Sequence, residues 1–300
     1  TLLGAGIPLL RTLTILSAQI ISKPLYYANE MVIRDIEAGL SFRDALAKQP
    51  RIFNKLWINL VETGEVSGQM PTIMGRLADY LEAEGELRTK VISALTYPII
   101  LVVAVIGVIL FLLLFLVPVF DKIYKELKIE LPFVTRMVIA MSNLVKDNLF
   151  LFLVVGFVSY IALYMYIRTK QGRYVYDTMK IQAPVFGALF RMQMENEFTS
   201  GLSILIRSGV PILQAIDIIS KSSSNVVAGR VLVDVRESIR EGRPIAVPLQ
   251  QAGIYSHIVV QMVAVGEETG ELASLLERAY TFTKLRLDNY VSRLATLIEP

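Results

Sequence analysis

The chain has 300 residues, no cysteine, one histidine, a formal net charge of +3, 54% hydrophobic residues and a mean hydropathy of +0.53. These values exclude a disulfide framework and a thiolate metal site or nucleophile, and they exceed what a water-soluble chain usually shows. The weak positive charge, spread along helical stretches beside acids, describes solvated faces and argues against a nucleic-acid partner.

The opening TLLGAGIPLLRTLTIL has no basic segment ahead of its apolar residues, so it is not read as a secretory signal. With no initiator Met, Thr1 is not expected to be the natural start. Residues 1–97 read as a helical domain. Gly6-Ile7-Pro8 marks the start of a helix, since proline is tolerated in a first turn. Ala28, Met31, Val32 and Ile36 recur at three- and four-residue spacing among Glu30, Arg34 and Glu37, the pattern of an amphipathic helix. Gly39 is expected to cap its end and Ser41 to start the next helix. A helix over Phe53 to Val61, a turn at Gly64-Glu65-Val66-Ser67-Gly68 and a longer helix from about Met70 to Thr96 follow.

A first membrane span is predicted over 98–117. Its stretch Ile99 to Val117 (IILVVAVIGVILFLLLFLV) carries no ionisable side chain. A second span is predicted over 149–167 (LFLFLVVGFVSYIALYMYI), equally uncharged. As helices, both make rods of about 28 Å, close to the roughly 30 Å hydrocarbon core of a bilayer. Pro118 is expected to end the first, and Leu131-Pro132-Phe133-Val134-Thr135 to break the 118–148 connection. Met137 to Val145 reads as an amphipathic helix near the membrane surface or as an ordinary connector. Arg88 and Lys90 before the first span, and Arg168, Lys170 and Arg173 after the second, place those flanks in the cytoplasm and the 118–148 loop outside.

Residues 168–300 form a second cytoplasmic domain in which the first pattern returns. Gly6-Ile7-Pro8-Leu9-Leu10 is answered 203 residues later by Gly209-Val210-Pro211-Ile212-Leu213, and Val32, Ile36 and Gly39 by Val235, Ile239 and Gly242. Gly64-Glu65-Val66-Ser67-Gly68 is answered 202 residues later by Gly266-Glu267-Glu268-Thr269-Gly270, and Pro98 by Pro300. The fold class expected is therefore all-α: two repeated helical-bundle domains separated by a transmembrane hairpin. Copy 1 would lack most of its first helix, which in copy 2 lies near Phe190 to Leu205. A third span is expected beyond Pro300, because Pro98 leads into one.

Catalytic signals are missing. His257 has no second imidazole or thiol, and the sequence contains no phosphate-binding loop, dinucleotide fingerprint or nucleophile elbow. No enzyme activity and no cofactor or metal is expected. Transport paths usually place ionisable groups or broken helices within the membrane, whereas these spans offer only Ser159 and tyrosines such as Tyr160, Tyr164 and Tyr166. The most specific local feature is the repeated Gly-Glu-x-Ser/Thr-Gly. Gly64 and Gly266 could stop a helix and Ser67 and Thr269 cap the next, leaving Glu65 and Glu267 unexplained by the turn. With Glu62, Glu268 and Glu271 nearby, each knuckle reads as a plain turn, a partner-docking surface (Glu62, Gly64, Glu65, Gly68, Gly266, Glu267, Glu268, Gly270, Glu271) or a cation site.

Two Gly-[Ile/Val]-Pro motifs, each followed by such a knuckle and a span-leading proline, together with Thr96-Tyr97-Pro98, resemble the type II secretion F / type IV pilus assembly family of GspF/PilC-like inner-membrane platform proteins. The resemblance covers essentially the whole chain. It implies a three-span platform in the bacterial inner membrane, with both large domains cytoplasmic and the 118–148 loop periplasmic. The partners it implies are a cytoplasmic hexameric assembly ATPase, the transmembrane helices of pilin or pseudopilin subunits, other inner-membrane assembly proteins and a second copy of the chain in a homo-oligomer, with a dimer favoured. Its expected role is to couple the ATPase to extraction and polymerisation of those subunits. Span contacts would rest on small residues such as Ala104, Gly107 and Gly156. The alternatives are a transporter or channel subunit and a passive membrane scaffold.

Overall fold

Short helices at the N-terminal end are set by local signals. In the computed structural model, which describes residues 1–127, 132–184 and 186–297, Gly6 takes a left-handed conformation and Pro8 precedes helix α1 (Leu9–Ser17). Helix α2 (Lys23–Glu37) ends ahead of Gly39, and the Ser41 hydroxyl accepts the Asp44 N–H at the start of α3 (Phe42–Ala47). Asn54 caps α4 (Lys55–Ser67) by accepting the Trp57 N–H. Helix α5 (Met70–Phe111) then runs unbroken through the expected boundary at Pro98. Proline removes one backbone donor, and the bonds on either side carry the helix across it.

A π turn at Leu112–Leu116 leads into α6 (Val117–Leu127), so Pro118 lies inside a helix instead of ending one. Helix α7 (Phe133–Asp147) follows, with Pro132 as its N-cap, and a single residue, Asn148, separates it from the apolar rod α8 (Leu149–Arg168). The chain continues through α9 (Lys170–Gln182), α10 (Phe186–Arg207), α11 (Ile212–Ser222), α12 (Val226–Arg240), α13 (Ala246–Ala252), α14 (His257–Thr269) and α15 (Leu272–Leu297). No strand occurs among the described residues. Leu131, the first residue of the expected break, and Pro300, the expected foot of a third span, lie outside them.

The chain divides into two units, one made of Thr1–Thr89 with Asp177–Tyr290 and the other of Lys90–Tyr176 with Val291–Pro300. In the first unit, α2 and α12 are both 15 residues long and begin 203 residues apart; α4 and α14 are both 13 long and begin 202 apart. Ala28, Val32, Phe42, Leu46 and Val61 form one core cluster. A larger one joins Leu60, Ile73 and Leu77 from the first stretch to Phe198, Leu202 and Ile216 from the second. Leu60, Leu202 and Ile216 are wholly buried, each contributing about 1.5–3 kcal/mol. The two stretches therefore share a core.

In the second unit the packing is reversed. Two helical runs are long and apolar enough to cross a bilayer, one within Met70–Leu127 and the other Phe150–Arg168. Their large apolar side chains, among them Val103, Ile109, Phe150, Phe157 and Met165, are exposed.

Candidate partner-binding site

Each Gly-Glu-x-Ser/Thr-Gly knuckle is the last turn of a helix. Gly64 and Gly266 lie within α4 and α14, and the residues that stop those helices are Gly68 and Gly270, with φ of 68° and 76°. This corrects the expectation that the first glycine of each motif ends the helix. Gly64 and Gly266 serve close approach instead. A Cβ on Gly64 would meet Met70 Sδ at 3.2 Å and Met70 Cα at 3.3 Å, and one on Gly266 would meet Leu272 Cα at 2.9 Å. Only hydrogen at Gly266 lets α15 leave its turn so close to the preceding helix, while at Gly64 a Cβ would require Met70 to give by a few tenths of an ångström. Ser67 and Thr269 bond back to the Thr63 and Val265 carbonyls, while their oxygens also accept from Gln69 N–H and Glu271 N–H at 3.4 Å.

The glutamates that the turn left unexplained have a structural task. Glu65 accepts the N–H groups of Phe42 and Arg43 at 2.6 and 3.1 Å, so its carboxylate covers the N-terminus of α3. Glu267 accepts the Ile245 N–H through both oxygens, at 3.0 and 2.8 Å, at the start of α13. A carboxylate satisfies free donors there and complements the positive end of the helix dipole. The sequence pattern itself held the signal: glutamate is kept at this place in both knuckles, although Val66 is answered by Glu268.

The other predicted residues divide by exposure. Glu62 is half-buried and lies 3.7 Å from Arg43 Nε, beside an open depression lined by Ser41, Asp44 and Glu65. Glu268 and Glu271 are exposed. The two knuckles are thus alike in backbone and in the capping glutamate but differ in the acids they show to solvent. Among the described residues no group of three or more His, Asp or Glu could hold a metal ion. His257 is the first residue of α14.

Two further acids were not picked out from the sequence. A cleft of about 100 Å³ between the two helical stretches is lined by Tyr80 and Glu84 from α5 and by Glu197, Ser224 and Tyr255 from the second stretch. Glu197 accepts from the Ser224 N–H at 3.4 Å and hydroxyl at 2.9 Å, and from Gln193 at 3.2 Å. Burial pushes its carboxyl above the usual glutamate value despite these bonds. Glu195, one helical turn from Thr199, is raised by burial as well, and accepts the N–H of Ser256, the N-cap of α14. Burial likewise pushes the Tyr80 and Tyr255 hydroxyls up. No spacing rule marks acids buried by tertiary packing.

These features define a class: an all-helical protein that combines a packed unit of paired helical stretches with two apolar rods of membrane-crossing length. The family pattern described as Type II secretion system (T2SS), protein F, matches residues 1–118 and 198–300. Type IV pilus assembly protein PilC of Thermus thermophilus is 39% identical over 301 residues, covering 100% of this chain and 74% of that protein. The PilC protein of Myxococcus xanthus is 36% identical over 304 residues, with 100% and 72% covered. Type II secretion system protein F of Xanthomonas campestris pv. campestris is 35% identical over 306 residues, with 99% and 75% covered. The chain belongs to the type II secretion system protein F family.

Proposed function

We propose that this protein is an inner-membrane platform of a type IV pilus or type II secretion machine, coupling a cytoplasmic hexameric ATPase to extraction and polymerisation of pilin or pseudopilin subunits. The observation that carries the reading is similarity over the whole chain to proteins named for pilus assembly and for secretion. The sequence supports a relay role, because it has no phosphate-binding loop of its own and work must come from a partner. In this reading α8 and the apolar end of α5 are spans, a third span follows, the two helical stretches are cytoplasmic copies of one domain, and the 118–148 connection is periplasmic. The rods present uncharged surface to pilin helices, where small residues such as Gly107 and Gly156 allow close packing. A homodimer is the oligomer favoured.

The docking role falls to acids not occupied by capping. Glu268 is exposed in the last turn of α14 and Glu271 just beyond it, and among the described residues Glu62 has only the longer contact to Arg43. Reversal in Glu268→Lys/Glu271→Lys and in Glu62→Lys is expected to lower co-purification of the assembly ATPase from membranes, and to lower piliation or secretion, with the protein still inserted and folded. Undiminished ATPase association in both variants would remove the docking role. Absence of any ATPase association in the unaltered protein would leave a passive scaffold instead.

A further inference from the structure

Helix α7 has three distinct sides. Ile139 and Ser142 are buried, and the Ser142 hydroxyl donates to the Leu113 carbonyl in the π turn near the end of the first rod. Phe133, Met137, Met141 and Leu144, spaced three, four and seven residues apart, are 79, 57, 52 and 54% exposed. Arg136, Asn143 and Asp147 fall on the third side, also exposed. Helix α6 repeats the theme, exposing Val119, Phe120, Ile123 and Leu127 on one side and carrying Asp121, Lys122 and Lys125 on the other, with Glu126 at the border.

An apolar stripe of this size on an ordinary connector would be costly in water. Its surroundings identify what covers it. Only Asn148 separates α7 from the rod α8, and the bond to Leu113 holds α7 beside the other rod, so the stripe continues the exposed apolar surface of both. Fifteen residues make a helix of about 22 Å, too short to cross a hydrocarbon core of roughly 30 Å. One apolar side, one charged side and a length below a span are the requirements for a helix lying in the plane of the interface.

We infer that α7, together with α6, is a lipid-binding element seated in the membrane–water interface, with Phe133, Met137, Met141 and Leu144 among the acyl chains and Arg136, Asn143 and Asp147 toward water. The inference rests on the reading of the two rods as spans.

The chain has no cysteine, so single spin labels can be placed cleanly. Met137→Cys, Met141→Cys, Leu144→Cys and Asn143→Cys, with Phe157→Cys in α8 as the span control, would be labelled in the full chain and reconstituted into phosphatidylethanolamine/phosphatidylglycerol nanodiscs. Relaxation by oxygen, which partitions into lipid, is compared with relaxation by an aqueous nickel chelate, after circular dichroism has verified unchanged helix content. Labels at 137, 141 and 144 are expected to match position 157, with a nickel-to-oxygen ratio several-fold below that at 143. Nickel accessibility at all three equal to that at 143 would overturn the inference. So would protection of all three from both reagents, the signature of a protein partner or second copy covering the stripe. Nickel access at 157 would show that the span reading itself had failed, and the inference with it.

Discussion

The Ser142 hydroxyl donates to the Leu113 carbonyl, an acceptor that has lost both of its usual backbone donors. Val117 N–H donates to the Leu112 carbonyl, five residues back, in the π turn. In that register the next donor in line for Leu113 is residue 118, a proline without an N–H. A serine 29 residues away supplies what the backbone cannot. Within apolar surroundings a carbonyl left bare is costly, and serine side chains are one of the devices that make proline tolerable in such helices.

Ser142→Ala should therefore destabilise the protein by about 1–3 kcal/mol, the cost of an unsatisfied buried polar group. Pro118→Ala returns an N–H that can reach Leu113. In the Pro118→Ala background the loss from Ser142→Ala should shrink to a fraction of its value. Unfolding in detergent of both single variants and the double variant gives the coupling directly. Additive effects would show that Ser142 and Pro118 act independently.

The all-helical class, the caps at Gly39 and Ser41, the two rods and the family were legible in the sequence, since each rests on local spacing or on long uncharged runs. The misreadings share one cause. Gly64 and Gly68 are equally able to stop a helix in isolation; the packing of Met70 against Gly64 decides which one does. Pro118 reads as a break because the sequence does not announce a π turn or a serine approaching from another helix, and Pro98 reads as a boundary because the sequence does not show that the helix bonds on either side carry the chain across it. Glu65 and Glu267 looked free because the helix ends they cover lie 22–23 residues upstream.

The two knuckle glycines should respond unequally to a methyl group. At Gly266 the added carbon meets backbone, Leu272 Cα at 2.9 Å, and α14 and α15 must move apart. At Gly64 the nearest atom is the Met70 sulfur at 3.2 Å, the end of a flexible chain, although Met70 Cα lies close behind at 3.3 Å. Alanine also gains about 0.5–1 kcal/mol over glycine within a helix. Gly266→Ala should cost about 1–3 kcal/mol and Gly64→Ala clearly less. Thermal unfolding of the two variants side by side tests the order, and equal losses would contradict it.

Removing the capping carboxylates should loosen α3 and α13 without touching the exposed acids. Glu65→Ala and Glu267→Ala are each expected to cost about 0.5–2 kcal/mol, the range for a lost N-cap. Glutamine, which keeps an acceptor oxygen, should restore much of that. Hydrogen exchange at the amides of Phe42, Arg43 and Ile245 is the local readout, with protection falling in the alanine variants first. Charge reversal at these two positions tests the fold as much as any docking role, so a loss of ATPase binding there would be ambiguous where one from Glu268→Lys would not.

The half-buried Glu197 fixes the sign of a pH effect. Its carboxyl is raised by burial, with Glu84 adding to the rise, while bonds from Ser224 and Gln193 oppose it. The folded state therefore holds the proton more tightly than the unfolded chain, whose value lies near 4.5. Between that value and the raised one the native state binds more protons, so stability falls as pH increases. The favourable contribution is fully present below the unfolded value and is lost as pH rises through the folded one. Glu197→Gln keeps the side chain neutral in both states and should flatten this part of the profile. Glu195 is raised in the same direction, so the slope should be reduced in Glu197→Gln and reduced further in the double variant Glu195→Gln/Glu197→Gln. Denaturant unfolding measured across pH 4–8 checks it. An unchanged slope in the double variant would mean that these carboxylates do not carry the proton difference between the two states.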